Sequence, residues 1–256
     1  MLTPQAWHRR FSQQARWTEE IRRFVVQKAG LGQAHCVLEA GCGTGAILGS
    51  MQHLMPTARF IGIDLRVDYL QEGQQNAPQS HLSAADAAAL PFPDGRFDAA
   101  ICHYFLLWVK SPEAILAEMK RVTRPGGMIV ALAEPDYGGR IDYPAALAEL
   151  GRMQAQALQI QGADPLMGRK LSSLFHQAGL TDIQIGVMGG QWNEAPAFEA
   201  WESEWAVLQA DLGHTIPAEK LNWLRSLDGA SWQKGERILF VPTFYAWGRD
   251  GILKFP

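Results

Sequence analysis

The sequence predicts an α/β fold organised on an open, doubly wound sheet, and three observations carry that prediction. In Val37-Leu38-Glu39-Ala40-Gly41-Cys42-Gly43-Thr44-Gly45-Ala46-Ile47, a short apolar run meets three glycines in five positions and then a helix-compatible segment. From Cys36 onward, short apolar runs alternate with helix-compatible segments, the pattern of parallel strands joined by crossover helices. The length, 256 residues, suits a single α/β domain with an elaboration.

Taken in order, residues 3–29 read as a helix, with Thr3 at its N-cap, Pro4 in its first turn, and Gly30 and Gly32 as stops. Trp7, Phe11, Trp17, Ile21 and Val25 follow helical spacing only loosely, which allows a break near Ser12 to Gln14. Arg9, Arg10, Arg16, Arg22 and Arg23 add positive charge, most of it read as a solvated face. The first strand is Val37 to Ala40, and its helix runs to about Met55, before Pro56. Arg59 to Asp64 is the second strand, followed by a helix over Val67 to Gln75, and Leu82 to Ala85 is the third. Leu90-Pro91-Phe92-Pro93-Asp94-Gly95 reads as a rigid surface loop. Ala99 to Leu107 is the fourth strand, with Cys102 to Phe105 at the end where open α/β sheets place ligands. Ser111-Pro112-Glu113 opens a helix through Val122, and Arg124-Pro125-Gly126-Gly127 turns into a fifth strand, Met128 to Ala133.

Beyond Glu134 the alternation stops. A loop at Pro135 to Arg140 leads to a helix from about Pro144 to Gln161, a second helix ending at Gly179, and a sixth strand, Asp182 to Val187. Residues 190–235 carry Trp192, Trp201, Trp205, Trp223 and Trp232 and read as mostly helical, and Ile238 to Trp247 is the last strand.

Composition narrows the function. A net charge of −3, with 19% charged and 47% hydrophobic residues, gives no basic footprint for nucleic acid. Three cysteines, with no C-x-x-C and no clustered Cys/His spacing, indicate neither a disulfide framework nor a metal site and fit a reducing compartment. No apolar run approaches the ~20 residues of a membrane span, so the expectation is a cytoplasmic protein without a membrane anchor.

The chemistry starts at the glycine turn, where positive φ and the lack of a Cβ let a cofactor approach main-chain N–H groups. Gly41 to Ala46 also satisfies G-x-G-x-x-G/A, so the loop alone does not choose between NAD, FAD and another adenosine cofactor. Asp64 ends the second strand about 20 residues after the turn, where a carboxylate takes ribose hydroxyls. Its other reading is the N-cap of the helix that follows.

Leu38 to Gly45, Gly62-Ile63-Asp64, Asp86-Ala87, Leu90 to Asp94, Phe97-Asp98 and Arg124 to Gly127, in this order and spacing, resemble the class I S-adenosylmethionine-dependent methyltransferases of the type 11 small-molecule branch. The resemblance is specific over roughly residues 35–134. It implies a Rossmann-like seven-stranded methyltransferase sheet whose last strand, here Ile238 to Trp247, is antiparallel, with helical cover elements. Residues 1–256 then form a single methyltransferase domain with a cofactor core at 31–134 and cover or substrate elements at 1–30, 135–165 and 190–235. It also implies that Gly41, Cys42, Gly43 and Gly45 line the methionine part of S-adenosylmethionine, and its product S-adenosylhomocysteine, with Glu39 at the amino group. By the same resemblance Asp64 takes the ribose, Leu65 packs on the adenine face, Asp86 accepts from the adenine amino group and Ala87 offers its N–H to the ring.

Methyl transfer is an in-line displacement that depends chiefly on alignment, so a catalytic triad is unnecessary. His103, beside the cofactor at the end of the fourth strand, is the candidate base for an acceptor proton; its other reading is a histidine that only packs there. Arg16 is the candidate partner of the cofactor carboxylate, through a two-pronged guanidinium contact. Tyr137, Tyr143 and Trp192 are candidates for the wall of a small-molecule acceptor site, each tryptophan having core packing as its alternative. A dehydrogenase fits less well, because a helix of about 30 residues precedes the glycine strand and the Asp86 and Leu-Pro-Phe-Pro blocks have no counterpart there. A cofactor-binding partner protein without turnover is the remaining alternative. Charge-assisted bonds from two ribose hydroxyls are worth roughly 1.5–3 kcal/mol each. Asp64→Ala is therefore expected to weaken S-adenosylhomocysteine binding by at least about tenfold in calorimetry run in parallel with NAD. Unchanged affinity in the folded variant would leave Asp64 a purely local role.

Overall fold

The computed structural model describes residues 3–189 and 195–251, which form two compact units. One runs to residue 134 and takes up 168–186 and the chain from 244 onward; the other holds 135–167 and 187–243. The elements in chain order are α1 (Pro4–Trp17), α2 (Glu19–Lys28), β1 (Cys36–Ala40), α3 (Ala46–Leu54), β2 (Arg59–Asp64), α4 (Val67–Asn76), β3 (His81–Ala84), β4 (Phe97–Cys102), α5 (Pro112–Val122) and β5 (Thr123–Pro135). They continue with β6 (Ile141–Tyr143), α6 (Ala148–Ile160), α7 (Met167–Gln177), β7 (Leu180–Val187), α8 (Phe198–Leu212), α9 (Ala218–Gln233), β8 (Ile238–Phe240) and β9 (Thr243–Asp250).

In the first unit, the Thr3 hydroxyl accepts from the Ala6 N–H and Pro4 sits in the first turn of α1, where helical N–H groups have no intrahelical partner. The single helix expected over 3–29 is two helices. The break falls at Thr18, beyond the Ser12 to Gln14 stretch, because Thr18, Ile21, Arg22, Val25 and Ala29 form a buried stripe belonging to α2 alone. Glu19 and Glu20 then favour a fresh helix start.

The seven-stranded sheet has the order β3-β2-β1-β4-β5-β9-β7, with β9, the last strand in the chain, antiparallel. All five residues of β1 are buried between parallel neighbours, Leu38 opposite Ile61 on β2 and opposite Ala100 on β4. A strand covered on both faces reads as a continuous apolar run, which is why β1 was legible. Strand order reverses between β1 and β4, and ligands of open α/β sheets bind outside the carboxyl ends at such a point. The Leu-Pro-Phe-Pro loop is held in place by Arg121, which donates to the carbonyls of Leu90 at 3.0 Å and Phe92 at 2.9 Å.

The strand expected over Ile238 to Trp247 is two strands. Pro242 lacks the N–H a continuous ladder needs, so β8 ends before it and pairs antiparallel with β6, Ile141 opposite Phe240, while β9 joins the large sheet.

The second unit packs Leu147, Leu150, Leu208, Leu212, Leu224 and Trp205 into a core of its own. Within it Asp228, itself buried, accepts from the indole N–H of Trp201 at 2.6 Å, that of Trp205 at 3.0 Å, and Arg237 Nε at 2.6 Å. Arg237 reaches on to Asp142 at 2.7 Å, and Arg140 holds the same carboxylate at 2.6 Å. Of the two readings open for the tryptophans, Trp201 and Trp205 follow the core one. Removing one member of a buried, hydrogen-bonded ion pair strands the other and costs about 3–5 kcal/mol. Asp228→Ala is accordingly expected to destabilise this unit by about 3 kcal/mol or more, read by tryptophan fluorescence during denaturation; a loss below about 1 kcal/mol would show that the cluster is dispensable.

Candidate functional site

The site grows from the place where β1 and β4 part. Glu39 pairs with Ile101, so the residues two further on, Gly41 and His103, stand level at the carboxyl ends of adjacent strands. Gly41, Gly43 and Gly45 have φ of 71°, 51° and 74°, a region glycine enters at little cost. Gly41 is required for a second reason, since a Cβ there would lie 2.2 Å from the Phe105 ring. Cys42 is buried within the turn; burial pushes its thiol up, and its N–H bonds the Ile63 carbonyl at 2.9 Å.

Asp64 ties this turn to β2. One carboxylate oxygen accepts from the Gly43 N–H at 2.9 Å and the other from the Arg66 N–H at 2.8 Å. The N-cap of α4 is Arg66, without a side-chain cap bond, so Asp64 is not that helix's cap. Each oxygen keeps a further lone pair for a ribose hydroxyl. Beside it Leu65 is 70% exposed, an aliphatic face at the strand end. Asp86 turns one oxygen to the Ala88 N–H at 2.9 Å, next to the buried Ala87. Helix α1 lies along the turn, with His8 Nδ1 2.9 Å from Thr44 Oγ1 and the Phe11 ring packed at Gly43.

Behind the glycines the site holds charge. Glu39 is fully enclosed, and burial pushes its carboxyl up to about 8; Arg22 opposes that shift and Asp64 adds to it. Arg22 is 1% exposed and donates to the Ala15 carbonyl at 2.6 Å, Thr18 Oγ1 at 2.7 Å and Ser50 Oγ at 2.9 Å. Arg16 is exposed in the last turn of α1, whereas Arg10 of α1 and Arg22 of α2 are buried. His103 is buried, with Nε2 2.8 Å from Thr18 Oγ1, and burial together with the Arg22 charge holds it well below its usual value.

Sequence reasoning missed three of these residues. Arg22 and Thr18 share the buried stripe of α2, a pattern present at spacings of three and four once the helix break is placed. Glu134, read only as the point where the strand–helix alternation stops, is buried and accepts from the N–H groups of Phe105 at 2.9 Å, Leu106 at 2.9 Å and Leu107 at 3.3 Å. Burial pushes its carboxyl up to about 7 against those bonds. It fixes the loop that carries Phe105 onto Gly41. Among the candidate acceptor residues, Tyr137 is part-buried with its N–H on the Pro165 carbonyl, Tyr143 is exposed on β6, and Trp192 lies outside the described residues.

The residues present fit an adenosyl amino-acid cofactor. Among the described residues two buried side-chain atoms have no partner, Arg22 Nε and Glu39 Oε2, one cationic donor and one acceptor. A carboxylate and an ammonium on one ligand would complete both, with Asp64 and Leu65 placed for a ribose and a flat base. The fold and site thus define an α/β protein built for a nucleoside carrying an amino-acid head.

Residues 38–131 match the family described as methyltransferase domain, type 11. A ubiquinone/menaquinone biosynthesis C-methyltransferase of Desulfotalea psychrophila is 32% identical over 200 residues, 70% of this chain and 80% of the relative. A demethylmenaquinone methyltransferase of Geobacillus kaustophilus is 28% identical over 200 residues, 68% of this chain and 81% of the relative. Among solved structures, a geranyl diphosphate C-methyltransferase from Streptomyces coelicolor with geranyl diphosphate and S-adenosyl-L-homocysteine superimposes with a TM-score of 0.54 at 16% identity, covering 89% of this chain and 78% of that one. The chain belongs to the class I S-adenosylmethionine-dependent methyltransferases of type 11. It is a methyltransferase acting on small molecules, with S-adenosyl-L-methionine as methyl donor. Among the described residues no helix is long and apolar enough to cross a membrane.

The enclosed carboxyls give the ligand-free protein a pH signature. Glu39 has an ordinary value of 4.5 and about 8 when folded, so over that interval the folded chain holds a proton the unfolded chain has lost. Stability from this group is complete below the lower value and is lost as pH rises through the upper one; Glu134, at about 7, acts in the same sense. The Tm of the ligand-free protein is expected to fall relative to Glu39→Gln between pH 5 and about 8. Parallel Tm curves for the two proteins would contradict it.

Proposed function

We propose that this methyltransferase transfers its methyl group to a ring carbon of a small, planar, hydroxylated acceptor of the quinol or phenol type. The observation that carries the reading is the buried His103 at the carboxyl end of β4, level with the glycine turn, held below its usual value by burial and by Arg22; in this reading it is the proton acceptor. Support also comes from the two relatives named for quinone-pathway methylation, each aligned over more than two thirds of its length.

S-adenosylmethionine supplies, when bound, an electrophilic methyl on a sulfonium. In this reading Glu39 and Arg22 hold its amino-acid head, Gly41, Cys42, Gly43 and Gly45 line its methionine part, and Asp64, Leu65, Asp86 and Ala87 hold the nucleoside. His103 takes the proton of the acceptor hydroxyl, which raises electron density on the ring. The bound donor would supply the methyl to that ring carbon, its sulfur keeping the electron pair of the methyl–sulfur bond. The hydrogen on that carbon then leaves as a proton, and the oxygen recovers its proton from His103, so one proton is released overall. We assign acceptor selection to residues 1–30, 135–165 and 190–235, outside the segment that matches the family, with Tyr137, Tyr143 and Trp192 as contributing side chains. The buried free thiols of Cys36, Cys42 and Cys102 support a place in the reducing cytoplasm.

The test is an acceptor screen with labelled methyl donor across demethylated quinols, phenols and amines, with NMR of the product. Carbon-bound label on a hydroxylated ring, and a loss of at least about a hundredfold in kcat for His103→Asn, are expected. Label on nitrogen, or an undiminished His103→Asn enzyme, would overturn the reading.

A further inference from the structure

We propose that Thr18 is a positioning residue that links the guanidinium of Arg22 to the imidazole of His103, so that what occupies the amino-acid end of the cofactor cleft is registered at the acceptor end. The inference rests on the role given above to His103 and concerns how that role is made dependent on a loaded cofactor.

The geometry is a chain of three side chains from two parts of the sequence. Thr18 Oγ1 stands 2.7 Å from Arg22 Nη1 and 2.8 Å from His103 Nε2, at the junction of α1 and α2. A hydroxyl has one hydrogen and two lone pairs, and Arg22 takes one lone pair as donor. The hydrogen points either to the Gln14 carbonyl at 3.0 Å, leaving the second lone pair to accept from His103 Nε2–H, or to His103 Nε2 itself. Both arrangements fix a single imidazole tautomer, because Thr18 presents one role at a time. All three side chains are buried, so water does not compete for these bonds.

Arg22 is also incomplete. Its Nε and the facing Glu39 Oε2 have no hydrogen-bond partner, and the carboxylates that act on the guanidinium are Glu19 of α2 and Glu39 of β1, the latter held mostly protonated at neutral pH. After burial, that charge is the largest influence lowering His103. On the other elements around His103, Glu39 of β1 faces Arg22, Glu134 of β5 is engaged by the N–H groups of Phe105 to Leu107, and Tyr104 packs edge-on at 4.7 Å. A carboxylate arriving at Arg22 neutralises the charge and reorients the donor that holds Thr18. His103 then becomes the stronger base only when the amino-acid head is seated, which disfavours proton uptake in an empty enzyme.

The experiment is ¹⁵N NMR of the His103 side chain, assigned with His103→Asn, in the full-length protein with and without saturating S-adenosylhomocysteine. In wild type a single tautomer is expected, with His103 titrating about one unit or more higher when the ligand is bound. Thr18→Val is expected to give mixed tautomers and a lower kcat at unchanged cofactor KM, and Thr18→Ser to restore both. A wild-type spectrum indifferent to the ligand, or a Thr18→Val spectrum like wild type, overturns the link. Arg22→Gln supplies a check independent of Thr18: His103 should titrate higher in the ligand-free variant than in wild type, and no difference also overturns it. If instead the spectra behave as expected while His103→Asn keeps full kcat, the link stands and the base assignment fails.

Discussion

Everything in the first unit answers to the left-handed turn that ends its central strand. Because β1 is enclosed by β2 and β4, its backbone cannot leave the sheet gradually; it must reverse within a few residues, and only glycine reaches φ near +70° there without strain. The reversal is then locked from three directions. Asp64 accepts the Gly43 N–H, the Phe105 ring fills the space a side chain at Gly41 would need, and α1 lays Phe11 against Gly43. Phe105 in turn stands where it does because Glu134 gathers the three N–H groups of its loop.

A second theme is titratable side chains kept out of water. Glu39, Arg22, His103 and Glu134 are all buried near the ends of β1, β4 and β5, and a buried polar atom left without a partner costs on the order of 1–3 kcal/mol. Such an arrangement gives the empty protein less stability than its packing could provide and leaves that deficit for a ligand of matching charge to remove. Binding and stability are thereby linked: ligand that recognises only the folded form raises the unfolding free energy by mass action. The same enclosure makes the electrostatic contacts strong once they form, since little solvent screens them.

The sequence was most readable where local pattern and tertiary role coincide. The glycine turn, the carboxylate ending β2 and the alternation through β5 all depend on neighbours within one βαβ unit, so their spacing carries the information. Arg22 was harder, because its burial depends on a helix break at Thr18 and on partners as distant as Ser50. Thr18 and His103 are 85 residues apart, and no local signal joins them. The split between β8 and β9 was signalled by Pro242, which the apolar character of Ile238 to Trp247 masked. In the second unit the tryptophans announced an aromatic core without announcing Asp228, whose value lies in three donors, two from α8 and one from the segment after α9.

Cys42 sits in the glycine turn that we assign to the methionine part of the methyl donor. Thiolates are among the best acceptors of a methyl group, yet this sulfur is walled in, its thiol pushed up by burial and by the nearby Glu39 and Asp64, and the position where Gly62 lacks a side chain is filled by its Sγ. A protonated, enclosed sulfur is a poor nucleophile. The turn can therefore carry a cysteine beside an electrophile for the life of the enzyme without becoming its own substrate, and the small residue opposite it on β2 is part of that protection.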